Sequence, residues 1–568
     1  MRLQSSKPLL LKMPDFGFVG TSYEAPSIYQ DAQECINFFA EIDPQKLPGE
    51  RGIVALYPTP GLEKQLQLNT AEVRGMRALS GGSYLVVVCG NIVYNVSPAM
   101  TSTVIGSLAT SFGQVSISDN VTTSDGLTAY IVDGPNRYTW VASTNTFTTL
   151  PPSDGPWNGA SIVDVVDNYN IYNEPNTQNW ACTDLGSSLS TQALYGAKDG
   201  SPDNLVSMIV DRRQVYLLGE VTSEVWTDVG NVITGITTFP FQRVPGTSMQ
   251  SGCAAPFSVA RFNDSFVFVA KDTRGNSTIE AIVGYSFKRL STHAVEQTLV
   301  NQIVSDAVAY TYQIEGHEFY VCTFPSIGNG LTWVYDLSTS AWHKWLSFAN
   351  GQYYRHRSNC GAYFNNMYLV GDYENGKIYS IENKVYTEDG ATIRRLRRAP
   401  HLVADFQREY FEELQIQFQP GVGLNAYPAY DAQDLATEAG NIIVAEFVQG
   451  YLTTQAGDQL VTEAGDGNEP LVTQVQPAED YNGYALETEA YTAAPGYDPQ
   501  AMLRWSNDGG STWSNEHWTS IGKIGRYTNR AIWRRLGFAR DRIFEVSISD
   551  PVKAVIISAN LKSSVGEN

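Results

Sequence analysis

Seven copies of one short unit, their starts 41 to 54 residues apart, constrain this 568-residue chain more than any other feature. Each copy is a strand, a polar turn and a second strand carrying an aromatic. The copies read SYLVVVCGNIVYNV from Ser83, TAYIVDGPNRYTWV from Thr128, YNIYNEPNTQNWAC from Tyr169 and QVYLLGEVTSEVWTDV from Gln214. SFVFVAKDTRGNSTIEAI from Ser265, FYVCTFPSIGNGLTWVYDL from Phe319 and MYLVGDYENGKIYSI from Met367 complete the series. That period leaves room for about four short strands per unit, the size of a β-propeller blade. One blade cannot bury both of its apolar faces. Stacking blades around an axis buries them and hides most strand edges. The expected core is therefore a β-propeller of about seven blades over residues 71–395, with a series of β-sandwiches as the alternative. No W-D or kelch motif marks the repeats.

The flanks read differently. Residues 1–70 look like an extended, turn-rich segment, with LYPTPGLE (56–63) as a Pro-Gly turn. After the repeats a basic cluster, IRRLRRAPH (393–401), precedes the strand-like YFEELQIQFQP (410–420). Residues 421–500 contain 13 acids and no Lys or Arg, and repeat L-x-T-[EQ]-A-G at 435–440, 452–457 and 460–465. Short strands joined by Gly turns are expected there, as an acidic β-hairpin insertion. Strand character resumes in AMLRWSNDGGSTW (501–513) and FEVSISDPVKAVIISANL (544–561). Residues 396–420 and 501–568 should then form one C-terminal β-sandwich, interrupted by 421–500. The whole chain reads as all-β.

Composition excludes several classes. With 43% apolar and only 17% charged residues, the chain can bury a sizeable core and is not disordered. Its net charge of −21 argues against a protein that coats nucleic acid, which needs a basic face. Residues 421–500 supply 13 of those negative charges, so the rest is mildly acidic and residues 501–568, with ten bases and six acids, are locally basic. No apolar run approaches the roughly 18 residues of a membrane span. The N-terminal PLLL is too short for a signal-peptide core. Cys35, Cys89, Cys182, Cys253, Cys322 and Cys360 form no C-x-x-C pair, which suggests free thiols made in a reducing compartment.

The sharpest local motif is SNDGGSTW, an Asp-box through Ser506, Asp508, Gly510 and Trp513. Its spacing suits a tight hairpin: Ser and Asp bond turn amides, Gly takes positive φ and Trp covers the turn. A structural role is the reading for this single copy. GDYENGKI (371–378) nearly matches a P-loop but joins two strands, so it reads as a hairpin turn. His343, His356 and Cys360 do not have the spacing of a zinc site. No catalytic residue, metal site or cofactor site is expected. The basic residues Arg394, Arg395, Arg397, Arg398, Arg526, Arg530, Arg534 and Arg535 are candidate contacts with another chain, since Arg favours interfaces and bidentate carboxylate pairs. If residues 525–542 formed a strand, alternation would put Arg526 and Arg530 on one side.

The stretches 310–345 (YTYQIEGHEFYVCTFPSIGNGLTWVYDLSTSAWHKW), 354–381 and 251–297 resemble the packaged-DNA stabilisation proteins of short-tailed phages, also described as tail hub or nozzle proteins. The C-terminal LRWSNDGGSTW and GRYTNRAIWRRLGFARDRIFEVSISDPVKAVI are similar to the same family, and INFFAE with LYPTPGLE more loosely. The acidic stretch 421–500 departs from it. The resemblance implies a virion structural protein, not an enzyme, made in the host cytoplasm. It implies a homo-hexameric ring below the portal and adaptor that continues the DNA channel. Such a ring retains packaged DNA without sequence-specific binding, and carries the tail needle or tip and the spikes or fibres. A glycan-binding or glycan-cleaving tail module is the alternative, on the strength of the aromatics and the Asp-box.

Overall fold

The computed structural model describes residues 10–14, 16–46, 53–230, 238–403, 407–424, 435–436, 442–443 and 496–566. Among these, helix is confined to one turn at His293–Glu296 and a 3-10 turn at Pro256–Ser258. No helix of the described residues is long and apolar enough to cross a membrane.

Seven antiparallel blades follow one another. The first runs Val73–Ala78, Leu85–Cys89, Ile92–Val96 and Ser102–Ser107. The next three sheets begin at Ser116, Val163 and Leu205. A fifth is built around Ser265–Lys271, and the sixth runs from Val308–Ile314 to Ala341–Lys344. Each sequence copy starts within two residues of the beginning of the second strand of a blade, which is why the strong period was visible.

The reason for stacking is legible in single strands. In Leu85–Cys89 every residue is buried, and alternate residues face opposite ways. Val86 and Val88 pack with Ile117, Ile131 and Trp140 of the second blade. Leu85, Val87 and Cys89 pack with Phe364, Leu369 and Ile378 of the seventh. A similar apolar layer fills each space between successive blades.

The seventh blade closes the ring. It takes Ser358–Phe364, Met367–Asp372 and Lys377–Glu382 from the end of the propeller, and its fourth strand, Gly61–Gln67, from before the first blade. The first 70 residues, expected as one extended segment, supply strands to three sheets. Glu34–Ile36 lies between Ala341–Lys344 of the sixth blade and Arg395–Arg398. Phe38–Ile42 and Val54–Pro58 form one edge of a seven-stranded sheet that also contains Glu409–Phe418 and Ile556–Val565.

That seven-stranded sheet packs on a second layer to make a sandwich. Leu56, Phe411, Leu414, Ile416 and Ile556 of one layer meet Ala501, Leu503, Phe544, Val546 and Ile548 of the other. The second layer is no separate sheet. It continues the sixth blade through Glu34–Ile36 and Arg395–Arg398 to Asp541–Ile548, Gln500–Ser506 and His517–Ser520. Of the acidic stretch, a short antiparallel pair, Leu435–Ala436 with Ile442–Ile443, is described; the repeats at 452–457 and 460–465 lie outside the described residues.

The six cysteines are unbridged, and all but Cys360 are buried. Residues 371–378 form the turn between two strands of the seventh blade, around the buried Asp372, which accepts bonds from Arg357, Tyr379 and the Glu374 amide. His343 and His356 are both buried in the blades, and His356 stacks on Trp345 at 3.8 Å.

Candidate interface of the sandwich

The eight arginines expected at a contact with another chain divide into two groups. In Arg395–Arg398 the strand alternates, and sheet neighbours on both sides cover it. Arg395 and Arg397 are fully buried inside their own chain, so neither can meet another molecule. Arg397 donates from Nε to the Phe18 carbonyl at 2.7 Å and from a terminal nitrogen to Gln33 Oε1 at 2.8 Å. Arg395 lies over the Tyr386 ring, and burial lowers its pKa to about 10. Arg394 pairs with Glu516 at 2.9 Å, within the chain.

Arg398 belongs to a larger ionic joint. Its guanidinium reaches Glu545 at 2.7 Å and Glu34 at 3.1 Å. Arg504 also engages Glu545, and Lys344 of the sixth blade bonds Glu34 at 3.0 Å and Glu24 at 2.7 Å. Burial alone would raise the Glu34 pKa; Lys344 and Arg398 outweigh it and hold the carboxyl below its ordinary value. These groups sit where blade, N-terminal strand and sandwich meet. The interface served by the 394–398 cluster is thus the internal one between propeller and sandwich. The sequence could not show this, because the acidic partners Glu24, Glu34 and Glu545 are far from the arginines along the chain.

The Asp-box leans on the same joint. Ser506 Oγ donates to Asp508 at 2.6 Å and accepts from the Gly510 amide at 2.8 Å. The Asp508 carboxylate accepts from both the amide and hydroxyl of Thr512, at 2.8 and 2.6 Å. Bonds from Ser506 and Thr512 lower its pKa to about 2. Trp513 bonds the Gly510 carbonyl and carries the guanidiniums of Arg504 and Arg398 on its ring, 4.8 and 4.9 Å from the centroid. Together these contacts make the turn a rigid cover over buried charge.

The other group is exposed. Residues 524–530 form turns instead of a strand, so the alternation argument for Arg526 and Arg530 does not apply; both are nonetheless in solvent. Ala531–Arg534 pairs with Glu409–Phe418 and ends the seven-stranded sheet on that side. Arg534 reaches Glu413 at 2.8 Å and remains 67% exposed, and Arg535 sits just beyond the strand at positive φ. Exposed Tyr527, Phe538 and Tyr410 accompany them, and Arg408 lies over Phe538. Arg with aromatic side chains is the composition of protein–protein contact surfaces.

One site escaped the sequence altogether. His317 of the sixth blade is held between Asp336, 2.8 Å from Nδ1, and Glu41, 2.5 Å from Nε2. The bond to Asp336 raises the imidazole pKa to about 9, against the opposing effect of burial. Glu41 comes from the sandwich strand Phe38–Ile42, so this ion triad is a second clamp between the two parts.

Comparison with known proteins places the chain. Residues 32–386 match the family described as "Bacteriophage P22 Gp10, beta-propeller", and residues 471–564 match "Bacteriophage P22 Gp10, beta-sandwich". The chain is 22% identical over 375 residues to the tail hub protein gp10 of Salmonella phage P22, covering 64% of this chain and 75% of that protein. Among solved structures, a chain of a mitotic checkpoint complex aligns at a TM-score of 0.35 and 10% identity, over 60% of this chain and 98% of that one, too loosely to bear on fold or function. A closed propeller, a sandwich fused to it and two family matches over those same parts agree: the chain belongs to the bacteriophage P22 Gp10 family.

Proposed function

We propose that this chain is a structural component of a short phage tail, its hub. In this reading six copies form a ring below the portal and adaptor. The ring continues the DNA channel, helps retain the packaged genome and anchors the tail tip with its spikes or fibres. The family match over residues 32–386 carries the reading. Construction supports it: a propeller closed by its own N-terminal strand and locked to the sandwich by shared strands and ionic joints is a stiff building block. The negative net charge supports passage of DNA without capture of its phosphates. The reading involves no cofactor and no catalysis, and places the chain in the virion after synthesis in the host cytoplasm.

Particles assembled without this chain should package DNA and then lose it, measured as nuclease-sensitive DNA released from filled heads. Adding the purified chain should restore retention. Particles that keep their genome and infect normally without it would refute the proposal. Release of oligosaccharides from host polysaccharide by the purified chain would favour a glycan-cleaving tail module instead.

A further inference from the structure

Two surfaces of opposite sign, one at an edge of the seven-stranded sheet and one beside its opposite edge strand, carry charges without ion-pair partners in the chain. The first is the arginine edge. Among the described residues, the guanidiniums of Arg526, Arg530, Arg535 and Arg540 are exposed and make no hydrogen bond or ion pair. Several arginines elsewhere do: Arg213, Arg261, Arg289 and Arg357 each hold a carboxylate. Ladder partners run from Ile416, opposite Ala531, to Tyr410, opposite Phe538, so the edge extends about 20 Å. Four unpaired arginines in one stretch concentrate positive charge on one edge of an acidic protein.

The second surface is a groove of about 630 Å³ on the rim of the sixth and seventh blades. It lies where the turns of both blades converge, and its lining includes Glu315, Glu318 and Glu382 but no Lys or Arg. Its one other titratable base, His317, is already held by Asp336 and Glu41. Tyr363, 54% exposed, stands at its wall beside Tyr368. The carboxylates of Glu315 and Glu382 have no hydrogen-bond or ion-pair partner among the described residues.

Sheet order separates the two surfaces. Phe38–Ile42, whose Glu41 touches the groove residue His317, is one edge strand; Ala531–Arg534 is the other. Four strand spacings, about 19 Å, divide them. Among the described residues no hydrogen bond or ion pair joins the two surfaces within one molecule. Two different patches that complement each other between copies make a heterologous contact, which closes into a ring when the rotation allows.

We propose that the arginine edge of one copy docks in the carboxylate groove of the next, with Arg526, Arg530, Arg535 and Arg540 facing Glu315 and Glu382. The proposal rests on the ring reading above and supplies its contact. Guanidinium–carboxylate pairs suit the task because they are bidentate and directional, and Tyr363 and Tyr527 add rigid contact area.

The test uses the full chain, by mass photometry and sedimentation, alone and on its portal–adaptor complex. R526E/R530E/R535E and E315R/E382R change only exposed or half-buried side chains, and thermal unfolding checks that both variants fold. Each variant alone should associate at least tenfold more weakly than wild type. Mixed one to one they should assemble again, in alternation: the reversed edge meets the reversed groove, and the native edge meets the native groove. Wild-type assembly by either variant alone would overturn the contact, as would failure of the folded mixture while wild type assembles. A wild type that stays monomeric even on portal and adaptor would overturn the ring reading, and this contact with it.

Discussion

His317 couples the propeller to the sandwich through charge, and this gives the protein a readable pH dependence. Its folded-state pKa, about 9, lies above the ordinary imidazole value because Asp336 and Glu41 favour the proton. The folded state therefore holds a proton that the unfolded chain releases near pH 6.5. Its stabilisation is complete below pH 6.5 and disappears as pH rises through 9. The His317→Gln variant should lose about 1–2 kcal/mol at pH 6, less than the full shift implies because solvent screens the exposed Glu41 carboxylate. It should match wild type above pH 10, in urea unfolding series at fixed salt. An equal loss at both ends of that range would mean that packing against Phe39 and Phe319, and not charge, is what the ring provides. Arg397 makes a stronger case for buried polarity. It is fully buried with carbonyl partners, so Arg397→Met should cost about 3 kcal/mol by leaving the Phe18 and Gly17 carbonyls unpaired. Differential scanning calorimetry of the purified variant measures it. The sequence identified these arginines as unusual but assigned them to the outside. A run such as IRRLRRAPH shows charge density; it does not show whether distant carbonyls and carboxylates enclose it.

Among the elements, the strand that closes the propeller depends most on distant neighbours. Gly61–Gln67 reads GLEKQLQ, too polar to stand out as a strand, because only its start is buried and its outer side meets solvent. The inner and middle strands were legible because they are apolar on both faces. An outer strand borrowed from before the first blade carries no such signal. Leu62 is the anchor, fully buried with Phe319, Val370, Tyr379 and Ile381. Leu62→Ala should cost about 2–5 kcal/mol, in the range for a buried Leu that leaves a cavity. Gly61 is the tightest point: a Cβ there would stand 2.5 Å from the carbonyl oxygens of Val385 and Thr387. Gly61→Ala must push these backbones apart, and should raise hydrogen exchange in Gly61–Gln67 and Lys377–Glu382 together while leaving the third blade protected. Protection lost throughout the propeller would mean that closure is the weakest link of the whole ring.

At the scale of the molecule the decisive fact is that the sixth blade and one layer of the sandwich are a single hydrogen-bonded sheet. The sequence divides the chain at the composition change near residue 395, yet the backbone ladder runs straight across it: Ala341–Lys344, Glu34–Ile36, Arg395–Arg398, Asp541–Ile548. Domains linked by a flexible tether open at about the cost of a modest surface contact. Here, separating the parts would break the ladder, expose the Glu34–Arg398–Glu545–Lys344 charges and strip the Trp513 ring from its arginines. Removing single partners from a buried ionic group costs about 3–5 kcal/mol, so the joint resists stepwise opening. Propeller and sandwich should therefore unfold in one cooperative transition, with calorimetric and van't Hoff enthalpies equal within error. Glu545→Gln should split that transition. The carboxylate serves Arg398 and Arg504 at once, and its loss leaves Arg504 without its charge partner and Arg398 with Glu34 alone. Two resolved peaks in wild type would mean that neither the ladder nor the charges couple the two parts. A single peak that persists in Glu545→Gln would assign the coupling to the strands and not to the charges.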